Sequence, residues 1–297
     1  MPSSNTTTPS GDIIYPLKVR GWSTVKSKWT RRYRCARETP SELRLISWNV
    51  DFMKPDTAGR LERILSYLQN SHLSSSPQPS CILLQELDVS SLDSILLNPW
   101  VRKHYAVTPT SASHWRAHYG IATLISRTIP FTNAQMLVFS DTTMGRAAIS
   151  IDIPILSSSG DRSRIVRIAN THLESLPQGA NARRKQLAAI ADLLREESVD
   201  AGVVGGDMNM IGDAADKSIH IAARLEDACL FPNDPASHTW GYQPRTCFSP
   251  GRLDRVFFVG NGLRVDSVEV IGRGLRTVDG RWASDHCGLL TTVSFRS

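Results

Sequence analysis

Six segments of this 297-residue chain end a run of apolar residues in groups that can bind a cation, move a proton or hydrogen-bond an anion. They deliver Asn49 and Asp51, then Glu86, then His172 and Ser175, then Asp207 and Asn209, then Asp254, and last Asp285 with His286. The stretch Val203-Val204-Gly205-Gly206-Asp207-Met208-Asn209 shows the pattern best. An apolar run stopping at two glycines reads as a buried strand that ends in a tight turn. Such a turn presents Asp207 and Asn209 at the rim of a sheet, where ligands usually meet strand ends. Each group alone has a plainer reading. Glu86 could be a surface acid, Asp254-Arg255 a structural ion pair, Ser284-Asp285 a turn cap, and His172 a satisfied strand-end histidine. Their repetition six times favours chemistry.

Carboxylates, amides and two histidines, with no cysteine ligand pattern, suit a hard, oxygen-seeking cation such as Mg²⁺ or Mn²⁺. Glu86 and Asp51 are the natural ligands. Phosphoryl transfer also needs an activated nucleophile, and Asp207 can orient or deprotonate a water. His172, His286, Asn49 and Asn209 can donate hydrogen bonds to phosphoryl oxygens as charge develops. A histidine in that role needs its second nitrogen held, and Asp254 or Asp285 can do this.

The elements that must position these groups follow from periodicity. Leu43 to Val50 reads as a strand, Thr57 to Asn70 as an amphipathic helix and Cys81 to Leu84 as a second strand. Residues 90–104 read as helical. Period-two patterning then predicts strands over 105–108, 119–126, 134–139, 146–153 and 165–171, with a turn at 157–161. Asn181 to Glu197 is a second helix, followed by the Val203 strand and a mostly helical stretch over 212–231. Strands at 253–259, 265–271 and 289–295 close the chain. This mixed order excludes a single parallel sheet and fits two packed sheets flanked by helices.

The bulk numbers agree with a globular domain: 41% of residues are hydrophobic. The net charge is +6 and the pI about 9.2, which suits a polyanionic partner or simply aids solubility. Five scattered cysteines, Cys35, Cys81, Cys229, Cys247 and Cys287, form no CxxC pair. That argues against a disulfide framework or a zinc cage and fits a reducing compartment. No apolar run approaches the roughly 18–20 residues that span a bilayer, so no membrane association and an intracellular location are expected. Residues 1–40 read as an N-terminal arm, partly disordered, ahead of one domain over 41–297. Within the arm, residues 13–37 hold no acid but eight Lys and Arg residues, interleaved with Trp22, Trp29 and Tyr33. Such a segment suits a phosphate backbone with stacked bases, or an arm whose Trp residues dock on the domain.

The motifs Trp48-Asn49-Val50-Asp51, Gln85-Glu86, His172-Leu173-Glu174-Ser175, Gly206-Asp207-Met208-Asn209, Leu253-Asp254-Arg255 and Ser284-Asp285-His286 occur in this order over residues 43–297. Together they resemble the endonuclease/exonuclease/phosphatase superfamily. The resemblance implies a DNase I-like α/β (α+β) fold, a four-layered αββα sandwich, and metal-dependent phosphoester hydrolysis. Within the superfamily the details are most similar to the 5′-tyrosyl-DNA phosphodiesterase branch. An abasic endonuclease, a general nuclease or another phosphoester hydrolase of the same fold is the alternative. The resemblance implies Asp207 as catalytic acid/base, Glu86 and Asp51 at Mg²⁺, and Asn49 supporting metal and phosphate. It implies Asn209 and His286 at the phosphate, with Asp254 orienting His286. His172, Ser175 and Trp240 would hold the 5′ end of a DNA strand, Tyr119 would lie beside the scissile link, and Asp285 would join the substrate contacts. DNA, as 5′ single-stranded ends, is the implied partner of a monomeric, nuclear repair enzyme. Two positions depart from the branch: Ile211 stands where it carries Arg, and Leu176-Pro177 where it carries Thr-Arg. Arg183, Arg184 or the basic arm are the candidates to replace those contacts.

Overall fold

The computed structural model describes residues 5–31, 38–73, 78–157 and 162–296. Two β-sheets lie face to face. One is eight-stranded and centred on Ala147–Leu156, Ser163–His172, Ala201–Asp207 and Asp254–Val259. The other is nine-stranded and centred on Gly288–Phe295, Glu42–Asn49, Ser80–Asp88 and Tyr119–Ser126. Aliphatic side chains of both sheets fill the space between them, among them Leu45, Leu83, Ile151, Ile168, Val203 and Val293. Helices Thr57–Ser71 and Val89–Leu97 cover the outer face of the second sheet through Leu61, Ile64, Leu65 and Ile95. Helix Ala180–Leu193 covers the first through Leu187 and Ile190. These three apolar layers make the αββα sandwich, because each sheet is apolar on both faces and each helix on one stripe.

The site is positioned by a repeated device. In each sheet two parallel strands are joined by a helical crossover: Glu42–Asn49 to Ser80–Asp88 through helix Thr57–Ser71, and Ser163–His172 to Ala201–Asp207 through helix Ala180–Leu193. Asn49, Glu86, His172 and Asp207 thus all lie at the C-terminal ends of parallel strands, where open α/β sheets gather their ligands. Register then sets them level. His172 pairs with Asp207, and Asp207 with Asp254. Gly205 and Gly206 matter here for packing. A Cβ on Gly206, whose φ is 153°, would sit 1.9 Å from the Thr171 carbonyl oxygen, and one on Gly205 would sit 3.0 Å from Leu83 of the facing sheet.

Several boundaries differ from the sequence reading. Residues 1–40 do not form a separate arm as far as they are described. Ile13–Pro16 pairs with Asn133–Val138 in one sheet, and Arg20–Ser23 pairs with Tyr105–Thr108 in the other. Trp22 and Trp29 dock on the domain: Arg102 lies 3.9 Å over the Trp22 ring, and the Trp29 indole donates to the Leu96 carbonyl. Tyr33 and most of the 157–161 turn fall outside the described residues. Residues 90–104 form two helices, Val89–Leu97 and Pro99–His104, because Asn98 caps the second and Pro99 opens it. The 212–231 stretch yields only single-turn helices, Ala214–Lys217 and Ile219–Ala222, and a two-residue strand. The 265–271 strand is two, Leu263–Val265 and Glu269–Ile271, which flank Asp266. No described helix is long and apolar enough to cross a membrane.

Candidate active site

Asn49 ties the two sheets together at the site. Its Nδ2 donates to Glu86 Oε1 at 3.1 Å and to Asp207 Oδ2 at 3.0 Å, and its Oδ1 accepts from the Asp51 amide. Both side-chain N–H groups are therefore spent on carboxylates. Asn49 holds the acids in place rather than reaching for a phosphate. Asn209 does the same from the other side: its backbone N–H donates to Asp207 Oδ1 and its side-chain N–H to the Leu173 carbonyl. Asp51, Glu86 and Asn209 all have left-handed backbones, with φ of 57°, 57° and 48°. Each such residue costs on the order of 1 kcal/mol, and strain of this kind gathers where function fixes a side chain. At Glu86 the cause is local: the pairing of Ser80–Asp88 with Tyr119–Ser126 shifts between Leu84 and Leu87, a bulge that re-aims the intervening side chains.

Glu86, His172 and Asp207 each offer one ligand atom, and these atoms lie within 4.8 Å of one another. His172 Nε2 stands 3.4 Å from Asp207 Oδ2 and 3.8 Å from Glu86 Oε1. Burial pushes Glu86 up to about 7 and Asp207 to about 6; the nearby His286 opposes the rise in both. Among the described residues no Lys or Arg pairs with either carboxylate. Glu86, partly exposed, and Asp207, buried, offer carboxylate oxygens with no Lys or Arg partner, a chemistry that fits a hard divalent cation, and the buried His172 Nε2, without a hydrogen-bond partner, faces them.

The two histidines are set to opposite charge states. His286 Nδ1 lies 2.7 Å from Asp254 Oδ2. Burial works against its charge, but Asp254, Asp285 and Asp207 raise its pKa well above the ordinary value. It is an imidazolium with Nε2 facing Asp207 at 3.9 Å. His172 is pushed well below its ordinary value by burial, then by Arg146 and His286. Arg146 Nη1 donates to His172 Nδ1 at 2.7 Å, and a guanidinium can only donate. Neutral His172 therefore carries its proton on Nε2, directed at the carboxylates.

Arg146 escaped the sequence reading. It is buried, it fixes His172, and its Nη2 donates to Ser175 Oγ at 2.8 Å. Its guanidinium also lies 5.3 Å from the Tyr119 ring centre, and that ring stacks on Phe52 at 4.0 Å. Arginine at a strand start carries no motif. The one available signal was its spacing from the strand that delivers His172.

Several of the expected residues have partners that the sequence does not show. Asp51 is not part of the Glu86 cluster. Its Oδ2 takes Arg60 Nη2 at 2.8 Å and its Oδ1 the Met53 amide, and each oxygen keeps a lone pair for a further ligand. Arg183 is fully buried, paired with Asp216 and donating to the Glu174 and Leu176 carbonyls. It shapes the loop after His172 and is not free to grip DNA. Arg184 is exposed. Trp240 donates from its indole to Asp285 Oδ2 at 3.0 Å and bridges to His286, which puts both beside the charged histidine. Arg255 turns away from Asp254 to bond the Arg252 carbonyl, so Asp254 is left to His286.

The acids carry a stability consequence. A carboxylate whose folded pKa is raised contributes stability while protonated and loses it as pH rises through the folded value. Glu86 and Asp207 therefore lose it through about 7 and about 6. His172, with its lowered pKa, acts oppositely below its ordinary value of 6.5. Between about pH 6.5 and pH 8 the metal-free protein is expected to lose stability as pH rises. Mg²⁺ should raise Tm more at the upper end of that window. Thermal unfolding in chelator and in Mg²⁺ at both pH values checks this, and a Tm that climbs with pH in chelator would contradict it.

The profile of the Endonuclease/Exonuclease/phosphatase family matches residues 46–286. Tyrosyl-DNA phosphodiesterase 2 of Gallus gallus is 26% identical over 267 residues, which cover 84% of this chain and 66% of that protein. The Danio rerio protein of the same name is 25% identical, over 86% and 67%. The chain thus spans about two thirds of the length of these relatives. The crystal structure of D. rerio TDP2 complexed with single strand DNA product superposes with a TM-score of 0.67 at 22% identity, over 85% of this chain and 99% of that one. With the motifs in order, the sandwich in place and the acids and histidines converging at one end of it, the chain belongs to the endonuclease/exonuclease/phosphatase family, a family of phosphoester-hydrolysing enzymes.

Proposed function

We propose that this protein is a Mg²⁺-dependent phosphodiesterase that hydrolyses the 5′-phosphotyrosyl link at DNA ends, a repair step carried out in the nucleus. The observation that carries the reading is the meeting of Glu86, His172 and Asp207 at one point, with the Asn49 amide spanning the two acids. The tyrosyl-DNA phosphodiesterase 2 relatives support the substrate.

Asp207, ionised above about 6, takes a proton from the attacking water. Asn49 and Asn209 lock its two oxygens, so the carboxylate does not rotate during the step. The His286 imidazolium and the His172 Nε2–H give fixed positive charge and a fixed donor for the phosphoryl oxygens. A divalent cation at Glu86, Mg²⁺ or Mn²⁺, supplies further neutralisation of the developing charge when bound. Trp240, Asp285, Ser175 and Tyr119 ring the centre and contact the 5′ end. A 5′-phosphotyrosyl oligonucleotide is the test. Release of a 5′-phosphate in Mg²⁺ and none in chelator is expected. Intact substrate in Mg²⁺, with abasic duplex or inositol phosphates cleaved instead, would replace this reading with another hydrolase of the family.

A further inference from the structure

Two stretches of this chain lack acids altogether: residues 13–37 and residues 94–140. They are distant in sequence, yet the fold lays one on the other. Ile13–Pro16 pairs with Asn133–Val138, and Arg20–Ser23 with Tyr105–Thr108. Tyr15 stacks on His114 with ring centres 6.0 Å apart. Lys18 and Arg20 stand near enough to His114 that, after burial, they are what lowers its pKa. Arg116 acts on Tyr15 in the same way, opposing the effect of burial.

Several cations elsewhere are neutralised, although others, such as Arg63, Arg195, Arg273 and Arg276, bond backbone carbonyls. Arg60, Arg164, Arg167, Arg183, Lys185, Arg252, Arg264 and Arg281 all meet carboxylates. Among the described residues, Lys18, Arg20 and Arg116 pair with none, and Lys18 and Arg116 are exposed. This face is not remote from the chemistry. A cleft lined by His114, Trp115, Arg116, Tyr119, Arg146 and His172 joins it to the catalytic centre. A second, more polar cleft, lined by Ser140, Thr142 and Thr143, meets the first at Arg116. Unpaired cations interleaved with aromatic rings are what a single strand needs: charge for the backbone, flat faces for the bases.

We propose that this face is a binding track for single-stranded nucleic acid, leading from the catalytic centre through the cleft past Arg116 to Lys18 and Arg20. The proposal deepens the phosphodiesterase reading, since it says where the polyanionic part of that substrate lies. It also accounts for the departures at Ile211 and Leu176-Pro177: grip is supplied from this side of the site.

The test uses the full chain, a fluorescent oligothymidylate without any tyrosyl group, and the triple variant K18A/R20A/R116A. Wild-type Kd should weaken with salt, and the log–log slope should fall by about 2 in the variant, as expected for three lost single-strand phosphate contacts. Hydrolysis of bis(p-nitrophenyl) phosphate in Mg²⁺ should stay within about twofold of wild type, since none of the three residues touches the catalytic groups. If the triple variant does not fold, Arg116→Ala alone should lower the slope by about 0.7, and Arg116→Lys should restore it. An unchanged slope, no oligonucleotide binding at low salt, or preferential binding of an acidic peptide would overturn the track. Because the probe carries no scissile adduct, failure of the tyrosyl reading leaves this measurement intact. Loss of the track likewise leaves tyrosyl hydrolysis to be judged by itself.

Discussion

An Asp207→Asn enzyme is expected to lose about 10²–10⁴-fold in kcat on a Mg²⁺-supported phosphodiester, as when a general base is removed, and to keep its hold on single-stranded DNA. Its stability should not fall with its activity. Asp207 is buried and held up at about 6, so its ionised form is disfavoured by the surroundings. An amide has one acceptor oxygen, so the variant keeps the Asn49 or the Asn209 contact and turns its NH₂ toward the other donor. Removal of a buried charge offsets that lost bond, so in chelator near neutral pH the variant should melt within about 4 °C of the wild type. Activity and Tm falling together would mean that Asp207 is a structural acid, and full activity would remove it from the mechanism.

Asp254→Asn should act through charge rather than through the base. Asp254 Oδ2 is the partner of His286 Nδ1, deep inside the protein. Stripping a buried charge of its partner costs about 3–5 kcal/mol unless the charge is given up. His286 can give it up by losing its proton. The pH–rate profile should then lose activity above the ordinary histidine range, where the wild type keeps it, with a deficit on the order of 10²–10⁴-fold at the alkaline end. An alkaline limb at the same pH in both enzymes would show that the positive charge on His286 is not used.

The strands that carry the site were legible because each is an apolar run ending in polar residues. Glu42–Asn49, Ser80–Asp88 and Ala201–Asp207 lie where the sequence expects them. Their convergence was not legible from periodicity. His172, Asp207 and Asp254 come level only through the registers of two strand pairings, which depend on partners far apart in sequence. The motif order stood in for that information. The pairing of Asp51 with Arg60 was hidden because Arg60 sits on the buried side of an amphipathic helix among Leu61 and Ile64, where a cation breaks the expected pattern. Arg146 was missed for the converse reason: the register Ala148↔Thr171 carries it past a strand end to His172, and nothing local announces this. The strands within residues 5–31 were hidden by their length of two to four residues, too short for alternation to show.

Asn49 belongs to one sheet and grips an acid from each. The reactive centre is thus a seam, and its alignment is only as good as the fit of the layers beneath it. Trimming Leu83 or Val203, which touch no substrate, would let the halves slide by fractions of an ångström and blunt turnover well before the domain came apart.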